Sequence, residues 1–148
     1  MKENAMYEVS TFRLYLLRAT YLLIVLGVGL GMQIWSGVLN PPKDLGHMNG
    51  VVRSMLAAVS LLALLGIRYP IKLLPLLFFE LVWKLTWILA FGFSLWRSNQ
   101  LTPATAETME ACLFGVVLFA LVIPWGYALM TYIKAPGDRW RKQAAPEV

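Results

Sequence analysis

Residues 71–95 read IKLLPLLFFELVWKLTWILAFGFSL, a run that charge interrupts only at Lys72, Glu80 and Lys84. As helix it extends about 37 Å, enough to cross a hydrocarbon layer of about 30 Å. Glu80 and Lys84 stand one helical turn apart and share a face with Trp83 and Trp87. Glu before Lys is also the favoured order for a helical ion pair. Counted from Lys72 at one boundary, Glu80 lies about 12 Å deep and Lys84 about 18 Å deep. Neither reaches a headgroup comfortably, although snorkelling brings Lys84 a few ångströms closer.

Three more apolar runs surround this one. Ala19 to Leu39 carries no charge and stops at Pro41-Pro42, Ser54 to Ile67 forms a shorter run, and Ala111 to Ile133 follows. With their flanks, the spans are expected at about 16–39, 49–68, 71–96 and 105–133. The second is tight, since Arg53 and Arg68 stand about 22 Å apart as helix, so its start is placed near Met48 and Arg53 falls inside the bilayer. Lipid offers no partner for backbone N–H and C=O groups, so each span must be helical. The expected fold is all-α, a polytopic four-helix membrane bundle forming a single domain.

Composition agrees. The chain is 59% hydrophobic and 14% charged, with a mean hydropathy of +0.64. Soluble domains run near 45–50% apolar and about 25% charged, and disordered chains are poor in aromatic and branched residues. The net charge of +5 comes from basic residues clustered at span ends, which fits membrane flanks and not a nucleic-acid partner. Lys2, Arg13 and Arg18 before the first apolar run imitate a signal peptide. The run is too long and no small-x-small cleavage site follows, so a retained helix is expected.

Lys2, Arg13, Arg18, Arg68, Lys72, Lys134, Arg139, Arg141 and Lys142 fall on one side of the membrane, against Lys43, Arg53 and Arg97 on the other. The positive-inside rule then places both termini in the cytoplasm, with residues 134–148 as a basic tail suited to anionic headgroups. Trp35, Tyr69 and Trp96 sit near span ends, as interfacial aromatics do.

A polar seam is expected within the outer half. Gln33 lies about 22 Å from Arg18, and Arg53 an equal rise from Arg68. A hairpin of spans two and three about Pro70 sets Arg53 opposite Trp87 and Ser60 opposite Glu80. Glu80, Lys84, Arg53, Trp87, Trp83 and Gln33 are therefore the candidate ligand-binding residues. The loop Asn40–Gly50 is a lid candidate that would add His47, though a solvated turn is the plainer reading. A cluster of Glu80, Lys84 and Arg53 has one surplus cation, which a carboxylate or a phosphate-bearing lipid would balance. Intramembrane charges often mark a ligand or ion path, whereas a self-neutralising i,i+4 pair also serves structure alone.

Cys112 and His47 are single, so no disulfide forms within one chain, and neither a metal site nor a bis-histidine haem is expected. No cofactor and no catalytic residue is assigned: the spans hold no nucleophile–base pair and no paired carboxylates. Gly27 and Gly31 form a GxxxG spacing expected to mark close packing within the bundle or between chains. Pro124 is expected to kink span four and free the Ala120 carbonyl. Pro75 suits the first turns of span three, and Thr102-Pro103 suits a helix start.

The stretch His47-Met-Asn-Gly-Val-Val-Arg53-Ser-Met-Leu, with Arg68-Tyr-Pro and Leu74-Pro-Leu-Leu-Phe-Phe-Glu80-Leu-Val-Trp83-Lys84, resembles small bacterial inner-membrane proteins whose layout is DoxX-like. The likeness covers about the middle third of the chain. It implies a bacterial four-helix bundle and supplies no reaction. Small multidrug exporters are similar in size, but carry their membrane glutamate in the first span, where this chain has none. Three function classes follow: a binding or accessory protein holding a lipid-like or anionic ligand or a partner subunit, a small-solute carrier acting as an oligomer, and, ranked last, a membrane enzyme on a lipid-like substrate. The expected partners are membrane lipids, with a second copy or a partner membrane protein as further candidates.

Overall fold

A computed structural model describes residues 9–44 and 46–137. Lys2, Arg139, Trp140, Arg141 and Lys142, and with them most of the basic tail, lie outside the described residues. Within them the protein is helical, and four helices are long and apolar enough to cross a membrane. These are α1 (Thr11–Gly31), α3 (His47–Arg68), α4 (Leu74–Arg97) and α5 (Pro103–Val122). Two short helices complete the described residues: α2 (Ile34–Leu39), and α6, which comprises Trp125–Ala128 and the wider π-type turns of Leu129–Lys134.

Local chemistry sets the ends. Ser10 Oγ accepts the Arg13 backbone N–H at 3.4 Å and caps α1. Pro75 occupies the first turn of α4, where a missing N–H costs nothing. Thr102 caps α5 reciprocally with Thr105, and Pro103 is its first residue. Asn99, left-handed at φ 57°, stops α4, with the Gln100 N–H donating to the Leu95 carbonyl.

Two expected spans differ in extent. The first, expected as one helix over 16–39, is α1 and α2 separated by Gln33, which adopts a left-handed φ of 51°. The α1 turns widen over Val25–Gly31 before this stop, and the Gln33 carbonyl accepts from Ser36 Oγ at 2.9 Å. The fourth, expected to run to 133 with a kink, breaks outright at Ile123–Pro124, where ψ values of 124° and 81° leave the helical region. Pro124 has no N–H for the Ala120 carbonyl. The Trp125 indole N–H donates to that carbonyl at 2.7 Å instead.

The Gly27/Gly31 spacing does not supply the contact inside the chain. Both glycines are exposed, and nothing comes within 4 Å of where a Gly27 side chain would start. Gly29 is the buried one, seated against Ser60 and Trp35. The wider turns change the rotation per residue, so a four-residue spacing no longer aligns with the packed face.

The bundle consists of two helix pairs: α3 runs along α1 and α2, and α4 runs along α5, with thinner contact between the pairs. Arg13 Nη1 donates to the Ile123 carbonyl at 3.3 Å, and the buried Tyr21 hydroxyl donates to the Pro70 carbonyl at 3.0 Å. The start of α1, the α3–α4 turn and the end of α5 therefore share one end of the bundle, here the Pro70 end. The core lies there: Leu17, Tyr21, Ala63, Leu74, Leu77 and Ile123 are fully buried. At the other, Asn40 end, a cleft opens between α1 and α5.

Candidate functional site

The α4 face that carries Leu77 and Leu81 in the core also carries Glu80 and Lys84, both buried, at 1% and 9% exposure. Lys84 Nζ donates to Glu80 Oε2 in a side-chain ion pair one turn long. Desolvating two charges is costly, and their mutual attraction in a low-dielectric setting offsets that cost only if other donors and acceptors find partners. Lys84 has help of a different kind: its ammonium lies 4.1 Å from the Trp83 ring centroid and 5.2 Å from that of Phe119. Glu80 Oε1 has no hydrogen-bond partner among the described residues. One acceptor is thus left open in an apolar surround.

Helix α5 makes room for the pair. A methyl group on Gly115 would strike the aliphatic stem of Lys84, so glycine at this position lets the lysine pass between α4 and α5. Above the pair opens a cleft of about 450 Å³. Its walls are α1, through Leu23 and Gly27, with Met32 just past its end, and α5, through Ala111, Cys112 and Phe114. Glu80, Trp83 and Lys84 line it from α4, Leu56 reaches it from α3, and Glu107 and Thr108 sit at its Asn40-end rim. The cleft is apolar, with polar groups at its two extremes, which is the usual make-up of a small-molecule site.

The other expected site residues lie elsewhere. Arg53 and Gln33 line a separate recess of about 400 Å³ with Ser36, Gly37, Asn40 and Pro42. Trp87 lies over Gly92 beside Met109 and borders a shallow apolar groove on the outside of the bundle with Phe78, Val82 and Phe91. His47 is the exposed first residue of α3 and lines a surface groove with Gly50, Ser54 and Met55. The expected seam is therefore divided between the cleft and the recess, with Trp87 and His47 outside both. The physical reason is the pairing of helices: α3 packs on α1 and α2, so Arg53 turns toward Gly37 instead of crossing to α4. Ser60, expected opposite Glu80, accepts from the Trp35 indole at 3.4 Å.

With Arg53 absent from the cleft, the surplus cation is absent too. Gly115 and Phe119 are the site residues that sequence reading passed over. A signal existed: Cys112, Gly115, Phe119 and Val122 recur at three- and four-residue steps and form the buried stripe of α5. Comparison with protein-family models, with curated proteins and with solved structures finds no match.

Proposed function

We propose that this is a small binding or accessory protein of the membrane that holds a lipid-like molecule in the cleft between α1 and α5. The observation that carries the reading is the buried carboxylate oxygen of Glu80, without a hydrogen-bond partner among the described residues, at the base of an apolar cleft. Such a base suits a head that donates a hydrogen bond, such as a hydroxyl, with an apolar body along Gly27 and Phe114. An anion is the poorer fit there, because Lys84 is already neutralised by Glu80.

The DoxX-like resemblance and the clustering of basic residues support a bacterial inner membrane with both termini cytoplasmic, which puts the Pro70 end inside and the cleft in the outer half. The basic tail then faces anionic headgroups. The test is mass spectrometry of small molecules that copurify with the full chain in mild detergent. A lipid or quinone in the parent, depleted in Gly27→Trp, is expected, since the indole enters open cleft space. A preparation free of such molecules, or a variant that retains them fully, removes the reading.

One observation favours a carrier as the second reading. Both cleft walls are helices that break, α1 at Gln33 and α5 at Ile123–Pro124, and broken helices frame the sites of many transporters. Solute flux into proteoliposomes that disappears in Glu80→Gln distinguishes it from passive holding.

A further inference from the structure

Arg53 is a half-buried cation inside a predicted membrane span, and no carboxylate pairs with it among the described residues. That sets it apart from Lys84, which carries its own counter-ion one turn away. The guanidinium is also seated. It lies against the Cα of Gly37 so closely that a methyl group there would collide with it. Beside it in the recess stand Gln33 and Asn40, whose uncharged amides can donate, and Ser36, whose hydroxyl donates to the Gln33 carbonyl; the recess contains no acid. The left-handed turn at Gln33 is what swings α2 over α3 to form this enclosure.

Depth limits what the ligand is. Arg53 stands about 22 Å along α3 from Arg68. In a hydrocarbon layer of about 30 Å, this leaves it within about 8 Å of the boundary at the Asn40 end, a distance that an arginine side chain spans by snorkelling. Phosphate groups lie at that level. A guanidinium matches phosphate oxygens with two parallel N–H donors, and uncharged amides complete such a cradle without repelling the anion. An unpaired intramembrane cation is costly, and a phosphate removes that cost.

We infer that the Arg53 recess is an anion site for a phosphate group, distinct from the cleft and built by Arg53, Gln33 and Asn40. The phosphate belongs either to a phospholipid headgroup or to a soluble phosphate arriving from the aqueous side. The two sites share Met32 as a wall and no charged residue.

Native mass spectrometry of the full chain in mild detergent tests this with three probes: phosphatidylglycerol, the diacylglycerol with the same acyl chains, and inorganic phosphate. Retention of phosphatidylglycerol over diacylglycerol is expected, with occupancy falling about tenfold in Arg53→Gln, the loss of one charge-assisted contact, and less in Arg53→Lys. Bound lipid that resists excess inorganic phosphate assigns the site to the membrane. An Arg53-dependent inorganic phosphate adduct assigns it to a soluble ligand. If Arg53→Gln does not fold, Gly37→Ala keeps the cation but drives the guanidinium from its seat, and the same fall is expected. Equal occupancy in parent and variant for every probe, or diacylglycerol bound as well as phosphatidylglycerol, overturns the site.

Discussion

The two ends of this bundle solve the same problem differently. At the Pro70 end, Leu17, Tyr21, Leu74, Leu77 and Ile123 are fully buried, and loose backbone carbonyls at Pro70, Ala120 and Ile123 accept from Tyr21, Trp125 and Arg13. At the Asn40 end the cleft opens between the helix pairs, and the Arg53 recess lies within one pair, between α2 and α3. Packing density is what makes one end rigid. The Glu80–Lys84 pair lies at the junction, where the core residues Leu77 and Leu81 give way to the cleft. Breaking the pair should therefore affect stability as strongly as any core change, while changes higher in the cleft should affect binding alone.

The largest expected effect follows from that position. Glu80→Leu leaves Lys84 buried without its anion and should cost about 3–5 kcal/mol of unfolding free energy. The double change Glu80→Gln with Lys84→Met should recover most of the loss, since replacing both charges removes the desolvation term as well. Detergent-micelle unfolding curves measure both. A Glu80→Leu protein as stable as the parent means that Lys84 finds water or headgroups, and the junction is then not sealed.

Next comes Gly66→Ala at the packed end. A methyl group there meets the Tyr21 ring, whose position is fixed by its hydrogen bond to Pro70. Overpacking of this kind should cost about 1–3 kcal/mol, read in the same unfolding assay. Tyr21→Phe tests that tether by itself. It leaves the Pro70 carbonyl without its donor and should cost about 1 kcal/mol. No loss in either variant means that the Pro70 end is looser than its burial indicates.

The same division explains what could be read from the chain. Spans, the helix start at Thr102-Pro103 and the Glu80–Lys84 turn are local: a run of apolar residues, a capping side chain or an i,i+4 pair carries its own physics. Which helix lies beside which is not local. Arg53 has the right depth to meet Trp87, but depth ignores azimuth, and azimuth is decided by whether α3 settles on α1 or on α4. Gly37 and Gly115, which admit Arg53 and Lys84, acquire meaning only once that choice is known. Pro124 was readable as a disturbance, yet whether it kinks or breaks a helix depends on a new partner for Ala120, and Trp125 supplies it. The turn at Gln33 had no local sign, because glutamine is an unusual residue for a left-handed position.

The smallest expected effect is the sharpest test of the contrast. Gly27→Ala adds a methyl group with nothing within 4 Å, on a helix that gains from losing a glycine's backbone freedom. A change within about 0.5 kcal/mol of the parent, or a slight gain, is expected of the monomer at any protein concentration. If stability instead falls at high protein concentration, and the gap from the parent closes as both are diluted, the exposed Gly27–Gly31 face is packing against a second copy. The mass-action term identifies that case, because only an interface between chains weakens with dilution. The cleft would then be roofed by a partner helix rather than opened to lipid.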